Sequence, residues 1–179
     1  MKTKYFILLS LIAICFTACN LDSSSNYTPE MSMLTSHINK ADTLNIYSTD
    51  EGGVGRLDTI TVGDTIVFRM YLNGVANNLT RFYMAQSDSA SAKIILPVAA
   101  SMDSIFSSSQ SDYSKGEFVF LPKKVHVYFP VRYVAKKPTT TAVIQLALSS
   151  DAVFNNSIGS NTFSIKLKTP IVAKKSTVK

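Results

Sequence analysis

Apolar and polar residues alternate at every second position through most of the chain beyond Leu44. Ile66, Phe68, Met70 and Leu72 fall on one side of a run whose other side is Val67, Arg69 and Tyr71. Val125, Val127, Phe129, Val131 and Tyr133 alternate in the same way with His126, Tyr128, Pro130, Arg132 and Val134. Ile144, Leu146 and Leu148 repeat the pattern, as do Phe163, Ile165 and Leu167. A period of two sends successive side chains to opposite faces of a pleated strand. Leu44 with Ile46, Ile60 with Val62, and the runs "NLTRFYMAQ", "KIILPV" and "GEFVFLP" bring the expectation to about eight short strands, split by Gly, Pro, Asn, Asp and Ser. No stretch carries a long helical period. The one long irregular segment, "ASMDSIFSSSQSDYSKG", predicts a single helical turn at Met102–Phe106.

Short strands with one apolar face must bury it against a second sheet. The pattern therefore predicts an all-β fold, an immunoglobulin-like antiparallel β-sandwich of about 7–9 strands spanning residues 44–172. A small β-barrel is the alternative. The cysteine pair and buried Trp of antibody-type domains are missing from the sequence. "MSMLTSHI", residues 31–38, fits a strand or a short helix equally. Pro130 cannot donate to a ladder and predicts an edge position for its strand. Gly63-Asp64 predicts a turn leading into the long strand that starts at Thr65.

The N-terminus is organised differently. Met1-Lys2-Thr3-Lys4 precedes an apolar run from Tyr5 to Phe16, the pattern of a secretory signal and too short for a membrane-spanning helix. Phe16-Thr17-Ala18-Cys19 resembles the lipobox of bacterial lipoproteins, with an aromatic residue in the first position. The resemblance implies cleavage before Cys19, a diacylglycerol thioether on its sulfur and acylation of the new amine. Two or three acyl chains make a stable anchor where one does not. The chain then divides into a signal at 1–18, the lipidated cysteine and a polar tether at 19–43, the sandwich at 44–172 and a basic tail at 173–179. Cys15 lies inside the signal, so the mature chain keeps no thiol for a disulfide, a metal or nucleophilic chemistry.

Charge is unevenly placed. Residues 20–114 carry five basic and ten acidic side chains, net −5, whereas residues 115–179 carry eleven and two, net +9. A basic half can meet anionic glycan or lipid headgroups. Scattered lysines also guard sheet edges against aggregation. No nucleic-acid motif is present, and no nucleic-acid partner is expected.

The search for chemistry is short. His37 and His126 do not stand at metal-ligand spacing with another His, Asp or Glu, so no metal and no cofactor are expected. There is no nucleophile elbow and no phosphate-cradling loop. Glu51-Gly52-Gly53-Val54-Gly55 reads as a flexible loop. No carboxylate pair is set out for glycoside hydrolysis. An enzyme is not expected. His126, Tyr128 and Arg132 share one side of a strand and form a candidate ligand stripe, or an ordinary solvent face.

Two further resemblances concern the exported proteins of one phylum. "VHVYFPVRYVAKKPTTTAVIQLALSSDAVFN" followed by "NTFSIKLK" looks like the closing strands of Ig-like or Calx-beta-like domains in Bacteroidetes lipoproteins. The calcium-binding versions use clustered carboxylates, and the final third here has only Asp151. Five tripeptides read Asp, then Ser or Thr, then an apolar residue, which resembles the general O-glycosylation signal of Bacteroidetes. Their central residues are Thr43, Thr59, Thr65, Ser89 and Ser104. The same order of residues also suits a turn followed by a strand. Together these features lead to the expectation of a lipid-anchored protein of the cell envelope, at the outer membrane, on its periplasmic or outer side. Its expected role is non-catalytic binding or scaffolding as an accessory subunit of an outer-membrane complex. A glycan-binding surface lipoprotein and a fimbrial or adhesin-like subunit are the alternatives. The expected partners are the membrane, through the N-terminal lipid, and an envelope protein or a glycan.

Overall fold

The structure is a computed structural model that describes residues 26–37, 46–48, 54–154 and 159–174. Cys19 and Thr43 lie outside the described residues. In chain order the strands are β1 (Glu30–His37), β2 (Ile46–Ser48), β3 (Val54–Leu57), β4 (Ile60–Thr61), β5 (Thr65–Asn73), β6 (Leu79–Gln86), β7 (Ala92–Ile95), β8 (Glu117–Val119), β9 (His126–Ala135), β10 (Val143–Ser150), β11 (Thr162–Lys168) and β12 (Ile171–Val172). They make a four-stranded sheet in the order β1-β5-β9-β7 and a six-stranded sheet in the order β2-β3-β11-β10-β6-β8. A small parallel pair, β4 with β12, stands beside them.

Alternation decides which face goes inside. Along β5, Ile66, Phe68, Met70 and Leu72 are fully buried, while Arg69 and Tyr71 are exposed. Along β9, Val127, Phe129, Val131 and Tyr133 point inward, while His126, Tyr128, Pro130 and Arg132 are exposed. The opposite layer contributes Phe82 and Met84 from β6 and Ile144, Leu146 and Leu148 from β10. Phe82 meets Phe129 across the interior at 5.8 Å and 75°, an edge-to-face contact that joins the two sheets. Each such side chain contributes about 1.5–3 kcal/mol by leaving water. One polar contact crosses this core. The Thr169 hydroxyl donates to the Ala142 carbonyl at 3.3 Å, which leaves the Tyr133 hydroxyl as donor to Thr169 Oγ1 at 2.8 Å. Burial raises the pKa of Tyr133, so it stays neutral and able to donate.

The protein is thus an all-β sandwich, and its sheets do not close into a barrel. The order β1-β5-β9-β7 over β11-β10-β6 is the strand order ABED over GFC of immunoglobulin sandwiches, with β3 added in parallel beyond β11 and β8 added beyond β6. After β6 the chain crosses to the first sheet for β7 and then returns, so that β8 pairs with β6.

Several details differ from the sequence reading. The sandwich starts before residue 44, because β1 pairs with β5 from Glu30↔Asn73 to His37↔Ile66. The segment from residue 31 to 37 is therefore a strand, and part of the expected tether belongs to the domain. The described residues form twelve strand segments, six of them pieces of only two to four residues. The helical turn lies at Ala99–Met102, slightly earlier than expected. Val54 and Gly55, taken as loop, open β3. The strand β9 is not at a sheet edge. However, β7 pairs with it only from Arg132 to Ala135. At Pro130 the strand has a partner on one side alone, so the missing N–H breaks no bond to β7.

Candidate functional site

The outward face of the four-stranded sheet collects the exposed side chains of β1, β5 and β9. Register sets them in rows. Ser32, Tyr71 and Tyr128 form one row, and Leu34, Arg69 and Pro130 the next. Glu30, Asn73 and His126 lie toward one end, and Val67, Arg132 and Ile95 toward the other. Tyr71 and Tyr128 are directly opposite each other and are 39% and 54% exposed, and Leu34 is 62% exposed. Directly opposed residues on one sheet face have Cβ atoms about 4.5–5.5 Å apart. The two rings therefore make one amphipathic platform. From His126 to Arg132 the face runs about 20 Å at the rise of an extended strand.

The expected stripe of His126, Tyr128 and Arg132 is exposed as a unit on this face. Sequence reasoning missed its other half, Tyr71, Arg69 and Leu34. The alternation in β5 puts Arg69 and Tyr71 opposite the buried Phe68 and Met70. What the sequence lacks is the pairing of β5 with β9, more than fifty positions apart, which places Tyr71 against Tyr128. Neither Arg69 nor Arg132 forms an ion pair with a carboxylate among the described residues. Among the described residues Arg69, Arg132 and Lys93 face out against Glu30 alone, which gives the described face a positive excess. Flat, aromatic and cationic, it is suited to recognising an acidic and partly apolar surface.

A cleft of about 470 Å³ opens at the edge where β6 faces β7. Met84, Ile94, Leu96 and Tyr113 line it, with Lys93 and Lys136 among its polar residues. The Tyr113 hydroxyl is buried without a hydrogen-bond partner, and desolvation raises its pKa. The turn beside it is held by Asp112, which accepts from Ser114 N at 3.0 Å and Ser114 Oγ at 2.6 Å and pairs with Lys115 Nζ at 3.0 Å. Those bonds, led by the Ser114 hydroxyl, hold the Asp112 carboxyl down at about 2. Among the described residues no three His, Cys, Asp or Glu side chains gather as a metal site.

The tripeptide sites are spread over the surface. Thr59, Ser89 and Ser104 are exposed, and Thr65 is half-buried at the start of β5. Two of the preceding aspartates have structural work. Asp88 accepts from Ala90 N at 3.1 Å and Ser91 N at 3.0 Å, and Asp64 Oδ2 accepts from Thr61 N at 2.9 Å. Bonds from Ser91 lower the Asp88 pKa. The turn at Gly63, with φ of +93°, then delivers the chain into β5 as expected.

No protein-family model and no curated protein matches the sequence of this chain.

Proposed function

We propose that the protein is a lipid-anchored module of the cell envelope, acylated on Cys19, that holds a partner protein of an outer-membrane complex on the Tyr71–Tyr128 face. The observation that carries this reading is the pairing of two exposed tyrosines between guanidinium groups that have no carboxylate partner among the described residues. The role is binding, not catalysis. Tyrosine and arginine are the side chains that most often dominate protein interfaces, since they bury large area and keep polar tips. The cationic flanks favour an acidic partner surface and speed its approach.

The test is chemical cross-linking and co-purification of the acylated protein from native membranes, comparing it with the Tyr71→Ser/Tyr128→Ser double variant. A partner that is recovered with the native face and lost, about tenfold or more, with the variant is the expected result, since truncating central interface residues costs over 1 kcal/mol each. Equal recovery of the partner sinks the assignment of this face. Saturable binding of the native protein to glycans, lost in the same variant, would replace the protein partner with a carbohydrate.

The exposure of Thr59 in the link between β3 and β4, and of Ser89 and Ser104 in turns, supports a second property, O-glycosylation of the mature chain. Intact mass of the protein from its native membrane should exceed the sum of polypeptide and lipid by whole sugar units. A mass equal to lipid plus polypeptide removes the glycosylation proposal, and a mass without lipid removes the anchor.

A further inference from the structure

Six of the large apolar side chains that stand exposed among the described residues fall into two patches. Leu34, Tyr71 and Tyr128 belong to the sheet face already described. Tyr27, Val75 and Val153, at 50%, 37% and 59% exposure, belong to one end of the sandwich. This is the end where β1 and β9 begin and β5 and β10 finish.

The same end receives the chain from its N-terminal side. Asn26 Oδ1 accepts from Val153 N at 3.1 Å, Tyr27 N donates to Asn77 Oδ1 at 3.2 Å, and Thr28 Oγ1 accepts from Ser160 N at 3.1 Å. Residues 26–28 are thereby stitched to the loops after β5 and β10 before β1 starts. Only seven steps along the chain, with six residues between, lead from Cys19 to Asn26. At full extension that length covers no more than about 25 Å. An acyl group on Cys19 therefore holds this end, in particular, close to the headgroups. The opposite end lies about 30 Å further along β5.

We infer that this end of the sandwich rests on the lipid surface, with Tyr27, Val75 and Val153 entering the interfacial layer and Lys123 and Lys124 meeting anionic headgroups. Tyrosine suits that layer because its ring is apolar and its hydroxyl stays wet. The lysine stems cover apolar surface while their ammonium groups reach phosphate. Of the two carboxylates nearby among the described residues, Asp151 is already held by Asn78 N at 2.7 Å and Asn78 Nδ2 at 2.8 Å, and Glu30 stands on the sheet face. Val75 has φ of +63° and Lys123 has +62°, so both hold the left-handed region that β-branched and bulky residues avoid. With this end down, the Tyr71–Tyr128 face stands roughly upright from the membrane and open to a lateral partner. The placement rests on the anchor proposed above.

The chain has no Trp, so single substitutions report position without background. The full acylated protein is reconstituted in vesicles of phosphatidylethanolamine and phosphatidylglycerol, as Tyr27→Trp, Val153→Trp, Tyr128→Trp and Val172→Trp. Val172, 47% exposed, marks the far end on β12. The expected result is blue-shifted emission, quenched by brominated acyl chains, for the first two variants, and aqueous emission for Tyr128→Trp and Val172→Trp. Aqueous emission from all four, with lipid on Cys19 verified by mass, overturns the placement and leaves the anchor standing. Quenching at Tyr128→Trp instead means the domain lies on its sheet face, which overturns both this placement and a free binding face. A chain without lipid on Cys19 overturns the anchor, and the placement falls with it.

Discussion

Replacing Phe106 with alanine is expected to destabilise the domain by about 3–5 kcal/mol, the usual range for truncating a buried aromatic. Phe106 comes from the irregular segment between β7 and β8 and is 1% exposed. Its ring lies 5.0 Å from Phe118, 4.8 Å from Phe120 and 5.8 Å from Phe129, the last edge-on at 82°. Phe118 and Phe129 belong to different sheets, so Phe106 fills the gap where the sandwich would otherwise be open at its β7–β8 side. The backbone fixes it there: Phe106 N donates to Met102 O at 2.8 Å, and Leu121 N donates to Ile105 O at 2.9 Å. An alanine leaves a void bounded by three rings that cannot all collapse inward. For a domain of this size the loss lowers the midpoint by roughly 10 °C. Thermal unfolding followed by circular dichroism measures it. A change below about 1 kcal/mol would show that the crossing segment is not part of the core, since surface substitutions fall within about 0.5 kcal/mol.

The strands carrying the core were legible because each pairs a strict period of two with β-branched and aromatic residues. β5, β9 and β10 are of this kind. β1 was not legible. Met31 and Met33 are half-buried while Leu34 is exposed, so apolar side chains stand on both of its faces and period two is blurred. The role of Phe106 was hidden for a different reason. "SIFSSSQ" has no periodicity, and only the closure of the sandwich edge gives its aromatic residue a place. The candidate face was half legible. His126, Tyr128 and Arg132 follow from alternation within one strand. Tyr71 and Arg69 join them only through register with a strand far away in sequence, and such a register is set by the packing of the whole inner face. The end proposed to meet lipid was not legible at all, because three hydrogen bonds between residues 26–28 and distant loops bring its parts together. The proposed lipidation and glycosylation are the reverse case. They rest on local tripeptide and tetrapeptide motifs, so the proposal comes from the sequence and the fold adds only the exposure of Thr59, Ser89 and Ser104.

Two glycines test the tightest turns, and their contrast is the second large expectation. Gly63 and Gly116 both hold positive φ, +93° and +71°. An alanine Cβ at Gly63 meets nothing within 4 Å, so Gly63→Ala carries only the left-handed penalty of about 1–2 kcal/mol. At Gly116 the same atom would sit 1.9 Å from the Met84 carbonyl oxygen, which is backbone of β6 and cannot swing aside. Met84 N also donates to the Gly116 carbonyl at 2.9 Å, so a backbone hydrogen bond ties the turn to β6 at the point of closest approach. Relieving the overlap means pushing the whole turn from Asp112 to Gly116 away from β6. That motion breaks this hydrogen bond, strains the Asp112 bonds and shifts Tyr113, whose ring lies 5.1 Å from Phe118 in an edge-to-face contact. Adding a typical overpacking cost of about 1–3 kcal/mol to the backbone penalty gives a loss of roughly 3 kcal/mol or more for Gly116→Ala. Urea unfolding of the two variants side by side isolates the steric part, because both pay the same backbone penalty. A Gly116→Ala loss within about 0.5 kcal/mol of the Gly63→Ala loss would mean that the turn does not press on β6, and the wall of the Tyr113 cleft would then be free to move.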